Sequence, residues 1–171
     1  MLQLILGGAR SGKSRLAEQR AAALEIPVIY VATAQAHDAE MQARIAHHQQ
    51  HRPADWHSVE QPLALAASLM ALDRPDQVIL VDCLTLWMSN LLLHDDPQLQ
   101  QRECEQLLAC LPQLASHVIL VSNETGLGVV PMGQLSRRFV DESGRLHQQL
   151  GQLADNVVFC VAGFAMNLKG A

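Results

Sequence analysis

No two of the four cysteines, Cys83, Cys104, Cys110 and Cys160, stand at the C-x-x-C spacing that metal knuckles and dithiol redox sites use. They are expected to be buried, reduced thiols, as in a cytoplasmic protein. Basic residues are scarce: 12 Lys and Arg against 17 Asp and Glu leave a formal charge of −5, which argues against a nucleic-acid partner bound through its backbone. A phosphate-bearing partner should therefore be small and held locally. No uninterrupted apolar run reaches about 18 residues, the minimum for a membrane-spanning helix. The amino end, MLQLILGGARSGK, lacks the basic segment, long apolar run and small-residue cleavage site of a secretion signal. No internal repeat, low-complexity tract or long linker divides the chain, so a single domain over 1–171 is expected.

Against these absences stands a composition that is 49% apolar and 17% charged, enough apolar surface to offset the entropy of ordering a chain of this length. Apolar, β-branched runs recur at 2–6, 27–33, 77–83, 117–123 and 156–163. Their near-continuous hydrophobicity suits strands covered on both faces. Helical spacing predicts helices over 13–24, 38–51, 62–72, a pair across 84–111, and 132–154, with HDDPQ at 94–98 as a turn between the pair. Alternating strands and helices imply an α/β fold with a mostly parallel central sheet and helices on both sides.

The stretch GGARSGKS fits G-x-x-x-x-G-K-[ST], and it follows a predicted strand and opens a predicted helix, as that motif requires. Gly7, Gly8, Ala9, Arg10, Ser11, Gly12, Lys13 and Ser14 are thus expected to bind nucleotide in a three-layer P-loop NTPase (RecA-like) fold. Glycines let the backbone turn tightly and present N–H groups to phosphate, and the helix amino end adds favourable partial charge. Lys13 would reach the β and γ phosphates, and Ser14 would ligate Mg²⁺. Asp82, ending the run VILVD, is the expected acidic partner of that Mg²⁺. Asn123 and Glu124 end a further strand, where open parallel sheets place ligands; orienting a substrate and forming a turn are both open to them.

Four of the eight histidines crowd ARIAHHQQHRPADWHSVE: His47, His48, His51 and His57. On a helix, His47 and His51 share a face with Glu40 and Arg44, whereas His48 turns toward Met41 and Ile45. Spacing leaves three readings of that face: a zinc pair, a solvated polar face, or a nucleophile aimed at nucleotide phosphate. The zinc reading has neither an HExxH pattern nor a third ligand at a telling distance.

Nearly end to end, the segments GGARSGKS, YVATAQAHDAEMQARIAHHQQHRPADW, VDCLTLWMSNLL, SNETGLGVVP and RRFVDESGRLHQQL resemble, in order, those of the bifunctional adenosylcobinamide kinase and adenosylcobinamide-phosphate guanylyltransferase family of cobalamin biosynthesis. The resemblance implies that His47 is the residue that becomes guanylylated. It also implies nucleotide contacts from the loop at 7–14, from Thr33, Ala34 and Gln35, from His51, Arg52 and Pro53, and from Glu60 and Asp82. The implied substrates are GTP and ATP, with adenosylcobinamide and adenosylcobinamide phosphate as acceptors; the implied assembly is a homotrimer. One departure is His147, in GRLHQ, where the family often has Asn. Arg137 and Arg138 read as a solvated face, Trp56 and Trp87 as packing residues. Rival readings are a one-step small-molecule kinase without a covalent intermediate and a GTP-binding regulatory module.

Overall fold

The computed structural model describes residues 1–35, 53 and 55–170. The five predicted apolar runs each form a strand: β1 (Leu2–Gly7), β2 (Val28–Ala32), β4 (Val78–Asp82), β5 (His117–Asn123) and β6 (Asn156–Val161). Two shorter strands, β3 (His57–Glu60) and β7 (Phe164–Lys169), complete a seven-stranded sheet of order β3-β2-β4-β5-β1-β6-β7. All pairings are parallel except β6 with β7, which form a hairpin.

Parallel strands need crossovers, and helices supply them. They are α1 (Lys13–Ala22), α2 (Leu65–Leu72), α3 (Leu84–Leu92), α4 (Leu99–Cys110) and α5 (Gln134–Leu153). Side-chain alternation sends Leu4, Ile79, Val81, Val118 and Leu120 into a core beneath α2, α3, α4 and α5. Ile5, Val78, Leu80, Ile119 and Val121 face the other way, against Ala17 and Ala21 of α1. A strand buried on both faces needs apolar residues at every position, which is why these runs read as continuous. Trp87 of α3 is fully buried, and its indole N–H donates to the Leu63 carbonyl at 2.7 Å. Trp56 packs half-buried against the α1 side.

Several boundaries differ from those the sequence suggests. The run at 156–163 stops at Val161 because Ala162 (φ 51°) and Gly163 (φ 84°) form a two-residue turn with both residues at positive φ, as hairpins favour. The helix expected from 62 begins at Leu65, since the Gln61 carboxamide oxygen accepts from the Leu63 and Ala64 N–H groups ahead of it. β3 and β7 were not foreseen: β3 offers one apolar residue, Val59, and all six residues of β7 are solvent-exposed. The turn at 94–98 holds, with Asp96 accepting from Gln98 N–H at 2.9 Å and pairing with Arg102. The helix expected over 38–51 lies outside the described residues.

Leu80 is fully buried in the central strand, so Leu80→Ala is expected to destabilise by about 3 kcal/mol through lost transfer energy and a cavity. Leu93→Ala, at a side chain 67% exposed, should change stability by no more than about 0.5 kcal/mol. Urea unfolding midpoints of the two variants check the contrast.

Candidate active site

β1 delivers its carboxyl end into the glycine-rich loop, and Lys13 opens α1 one turn later. Gly7 is dictated by close approach: a Cβ there would lie 2.5 Å from Ser11 Oγ and 2.7 Å from the Cys160 carbonyl oxygen. Gly12 is dictated by conformation, its φ being 97°, and a Cβ would press within 3.3 Å of Gly163 Cα. The β6–β7 turn thus buttresses the loop from below, with Gly163 N–H donating to the Ser11 carbonyl at 3.0 Å.

Lys13 is 9% exposed, its ammonium donating to the Gly8 carbonyl at 2.9 Å. An amine folded onto its own loop holds positive charge where phosphate oxygens would enter. Ala9 and Arg10 are exposed, so solvent and an entering phosphate can reach the Arg10 side chain. Ser11 Oγ is buried with no hydrogen-bond partner among the described residues, an orphaned donor inside the cradle.

Parallel register brings other candidates to the same edge of the sheet. Gly7 pairs with Asn123, Val121 with Asp82, and Asp82 with Ala32. β5 separates β4 from β1, and Asp82 stands level with Ile5, two residues short of Gly7, so at about 4.8 Å per strand and about 3.3 Å per residue Asp82 begins roughly 12 Å from Gly7, a gap that phosphate and a hydrated cation can bridge. The Asp82 carboxylate accepts from the Tyr30 hydroxyl at 3.1 Å and, among the described residues, makes no ion pair with a basic side chain. No cluster of three or more His, Cys, Asp or Glu placed to hold a metal exists among the described residues. The donors present, one hydroxyl at Ser14 and one carboxylate at Asp82, fit a hard, oxygen-seeking cation that takes its remaining ligands from water and phosphate.

Thr33 is fully buried, and its hydroxyl is consumed by Cys83: it donates to that residue's carbonyl at 2.6 Å and accepts its N–H at 3.0 Å. Asn90 holds the Thr33 carbonyl as well, at 2.8 Å. Thr33 therefore clasps the ends of β2 and β4 together, which leaves any nucleotide contact from this stretch to the half-buried Ala34 and Gln35. Glu60 is exposed at the end of β3, four strands from β1 and so roughly 19 Å from the loop. It sits at the same edge but away from the phosphate cradle. Pro53 is exposed; His47, His51 and Arg52 lie outside the described residues.

The cysteines are free, Cys110 and Cys160 buried and Cys83 and Cys104 only partly so, short of the full burial expected of all four. Burial, aided by the charge of Asp82, pushes the Cys83 thiol up to about 11. Burial likewise raises Cys104 and Cys110 to about 11. Burial also raises Cys160, against the opposing pull of Lys13 and Arg20. These are protonated thiols at neutral pH and poor nucleophiles, Cys160 among them lying against Gly7 of the cradle.

A polar group that sequence reasoning left undecided stands beside the loop. His147, from α5, meets Ser122 Oγ at 2.8 Å and the Glu124 carboxylate at 3.6 Å, while Glu124 N–H donates to the Gly7 carbonyl at 3.1 Å. Histidine in place of Asn was the only sequence signal. Arg137 is not merely solvated, since its guanidinium donates to the carbonyls of Pro131 and Met132.

The family described as cobinamide kinase / cobinamide phosphate guanyltransferase matches residues 3–168 of this chain. The bifunctional adenosylcobalamin biosynthesis protein CobP of Pseudomonas aeruginosa is 59% identical over 99% of this chain and 98% of its own. Its namesake CobU proteins of Escherichia coli and Salmonella typhimurium are 39% and 40% identical, each across 99% of this chain and the whole of theirs. Among solved structures, a Pyrococcus horikoshii protein aligns with TM-score 0.59 at 9% identity over 99% of this chain and 86% of that one. The RadB recombinase aligns with TM-score 0.53 at 16% identity over 92% and 73%. These two likenesses concern the fold, a RecA-like P-loop architecture.

Replacing the ammonium at the centre of the cradle tests the loop directly. Lys13→Ala is expected to weaken GTP binding by at least about 100-fold while leaving the circular dichroism spectrum unchanged, since a charge-assisted contact to phosphate carries about 3 kcal/mol. Calorimetric titration with GTP gives the answer, and unchanged affinity would remove the phosphate assignment.

Proposed function

We propose that this chain, which belongs to the cobinamide kinase / cobinamide phosphate guanyltransferase family, performs both reactions of that name from one nucleotide-binding edge: phosphorylation of adenosylcobinamide with ATP or GTP, then transfer of GMP from GTP to the resulting phosphate. The observation that carries this reading is the convergence of the cradle at 7–14, Lys13 and Asp82 on one sheet edge, in a chain matching that family over nearly its whole length.

In the kinase step, the cradle's N–H groups and Lys13 hold the triphosphate. The acceptor hydroxyl oxygen bonds to the γ phosphorus, the bond to the nucleoside diphosphate breaks, and the hydroxyl proton is released. Positioning and charge neutralisation supply most of the acceleration in such transfers. Ser14 and Asp82 would hold Mg²⁺, which would supply neutralising charge to the phosphate oxygens.

In the second step, the neutral imidazole of His47 bonds to the α phosphorus of GTP and pyrophosphate leaves. A phosphate oxygen of adenosylcobinamide phosphate then displaces the imidazole and takes the GMP. Imidazole suits this task because it is a competent nucleophile near neutral pH, and a covalent relay avoids forcing two anions together in one displacement. His51, Arg52 and Pro53 follow His47 in sequence and are assigned, with Ala34, Gln35 and Glu60, to the nucleotide. Thr33 belongs in that set as the clasp that holds Ala34 and Gln35 at the sheet edge.

No helix among the described residues is long and apolar enough to cross a membrane, which supports a cytoplasmic place for the enzyme. Two exposed apolar groups support burial within a homotrimer: Leu127, Val129, Val130 and Met132 in one, Phe164, Met166 and Leu168 in the other. The formal charge of −5 supports the absence of a nucleic-acid partner.

Incubation with Mg²⁺ and GTP labelled at the α phosphorus, followed by denaturation, tests the covalent step. Wild type should retain label that acid releases and alkali does not; His47→Ala should retain none while still phosphorylating adenosylcobinamide. A folded, GTP-binding wild type that keeps no label reduces the protein to a one-step kinase if it turns over adenosylcobinamide, and to a binding module if it does not.

A further inference from the structure

The polar chain beside the P-loop joins three elements. Asn123 N–H donates to Thr85 Oγ1 at 2.7 Å, at the amino end of α3, and Thr85 lies 3.4 Å from Ser122 Oγ. Ser122, 2% exposed, meets His147 Nε2 at 2.8 Å, and His147 Nδ1 faces Glu124 Oε2 at 3.6 Å. The other carboxylate oxygen of Glu124 accepts from Gly126 N–H at 2.6 Å.

Donor and acceptor capacity sets the direction of this chain. A neutral imidazole has one N–H and one lone pair. Facing a carboxylate, it is assigned its proton on Nδ1, so Nε2 accepts from the Ser122 hydroxyl, and that oxygen is left to receive the Thr85 hydroxyl. Every member is then used once in a consistent sense. Protonation of the ring would put a donor on each nitrogen and turn the Ser122 hydroxyl away.

What the chain holds in place is the root of a loop. Glu124 ties β5 to Gly7 through its N–H and ties Gly126 to itself through its carboxylate. Beyond Gly126 the loop projects Leu127, Val129, Val130 and Met132, and its far end is fixed by Arg137 on the Pro131 carbonyl. It leaves the strand next to β1 at the edge carrying the cradle, and so starts beside the place a triphosphate would occupy.

We propose that His147 is a positioning residue for phosphoryl transfer, acting through Ser122 and Glu124 to set the Glu124–Met132 loop against Gly7 on the acceptor's side of the phosphate cradle. The inference rests on the kinase activity proposed above. It assigns His147 no contact with nucleotide or acceptor.

The charge environment gives the proposal a signature in pH. β5 presents to the ring the Ser122 hydroxyl and the Glu124 carboxylate, α3 contributes the neutral Thr85, and one turn away on α5 stand Ser143 and Gly151. Glu124 is the charged group at ion-pair distance among the described residues. Burial lowers the His147 pKa below its ordinary 6.5, and Glu124 opposes that shift. The neutral ring, and with it the ordered loop, is therefore favoured above pH 6.5 and lost as pH falls through the lower folded-state value.

The experiment follows kinase turnover of adenosylcobinamide with ATP from pH 5 to 8, alongside GTP affinity and melting temperature. His147→Phe keeps a planar ring without nitrogens. It is expected to bind GTP as wild type does, to lose about tenfold in kcat/KM for the acceptor, and to lose the acid limb assigned to the imidazole. His147→Asn restores a short polar donor and should recover most of the rate without that limb. Glu124→Gln removes the opposing charge and should move the limb to lower pH.

A folded His147→Phe with wild-type kcat/KM and pH profile overturns the inference, as does a change confined to melting temperature. If His147→Phe does not fold, Glu124→Gln decides, and an unmoved limb overturns the inference. A wild type that turns over adenosylcobinamide while the variants behave as wild type sinks this inference alone; a wild type without such turnover sinks the kinase reading with it.

Discussion

At the end of β1 the backbone of Gly7 lies so close to Ser11 and Cys160 that a single methyl group would sit 2.5 Å from one oxygen and 2.7 Å from another. That contact holds three pieces of chain together: the loop that follows β1, the end of β6, and through Gly163 the turn into β7. A cradle made of backbone N–H groups has no side chains with which to correct its shape. Its geometry comes from what presses on it from behind, and here the pressure comes from a hairpin at the far end of the chain. On the opposite flank β5 supplies Glu124, whose N–H reaches the Gly7 carbonyl. The phosphate loop is thus held from both neighbouring strands.

The parts legible in the sequence were those with a local physical cause. A strand buried on both faces must be apolar throughout, so β1, β2, β4, β5 and β6 announced themselves; a loop that wraps phosphate must have its glycines and lysine at fixed spacing, so 7–14 did too. Asp82 stood out because a carboxylate ending an apolar run on a central strand has few structural uses, and the register sets it at the same edge as the cradle. What stayed hidden depended on distant partners. Nothing in FAMNLK says that, among the described residues, it pairs with β6 alone and leaves all its residues exposed within the single chain, and nothing in HSVE marks a strand at all. Thr33 looked like a nucleotide contact, yet its hydroxyl is spent on Cys83, 50 residues along. His147 was visible as an oddity of composition, but its partners, Ser122 and Glu124, 25 and 23 residues earlier, become visible only once α5 lies over β5.

Two kinds of rigidity meet at the ligand edge. On the β2–β4 side it comes from hydrogen bonds that close on themselves: Thr33 with Cys83, Asn90 with the Thr33 and Pro62 carbonyls, Tyr30 with Asp82. On the β1–β5 side it comes from steric contact at Gly7 and Gly12 and from the Ser122–His147–Glu124 chain. Asp82 and the cradle are therefore fixed by independent means, across the width of β5. The free thiols close by are protonated, so they add bulk to this edge without competing as nucleophiles.

The antiparallel turn of β7 also settles where the chain's ends lie. Lys169 pairs with Val157, and Gln3 pairs with Asn156, so the first and last strands both begin or finish at the edge opposite Gly7. A dye, surface linker or fused domain attached at either end would hang from the underside of the sheet. The ligand edge, some five strands wide, would stay clear of such an attachment.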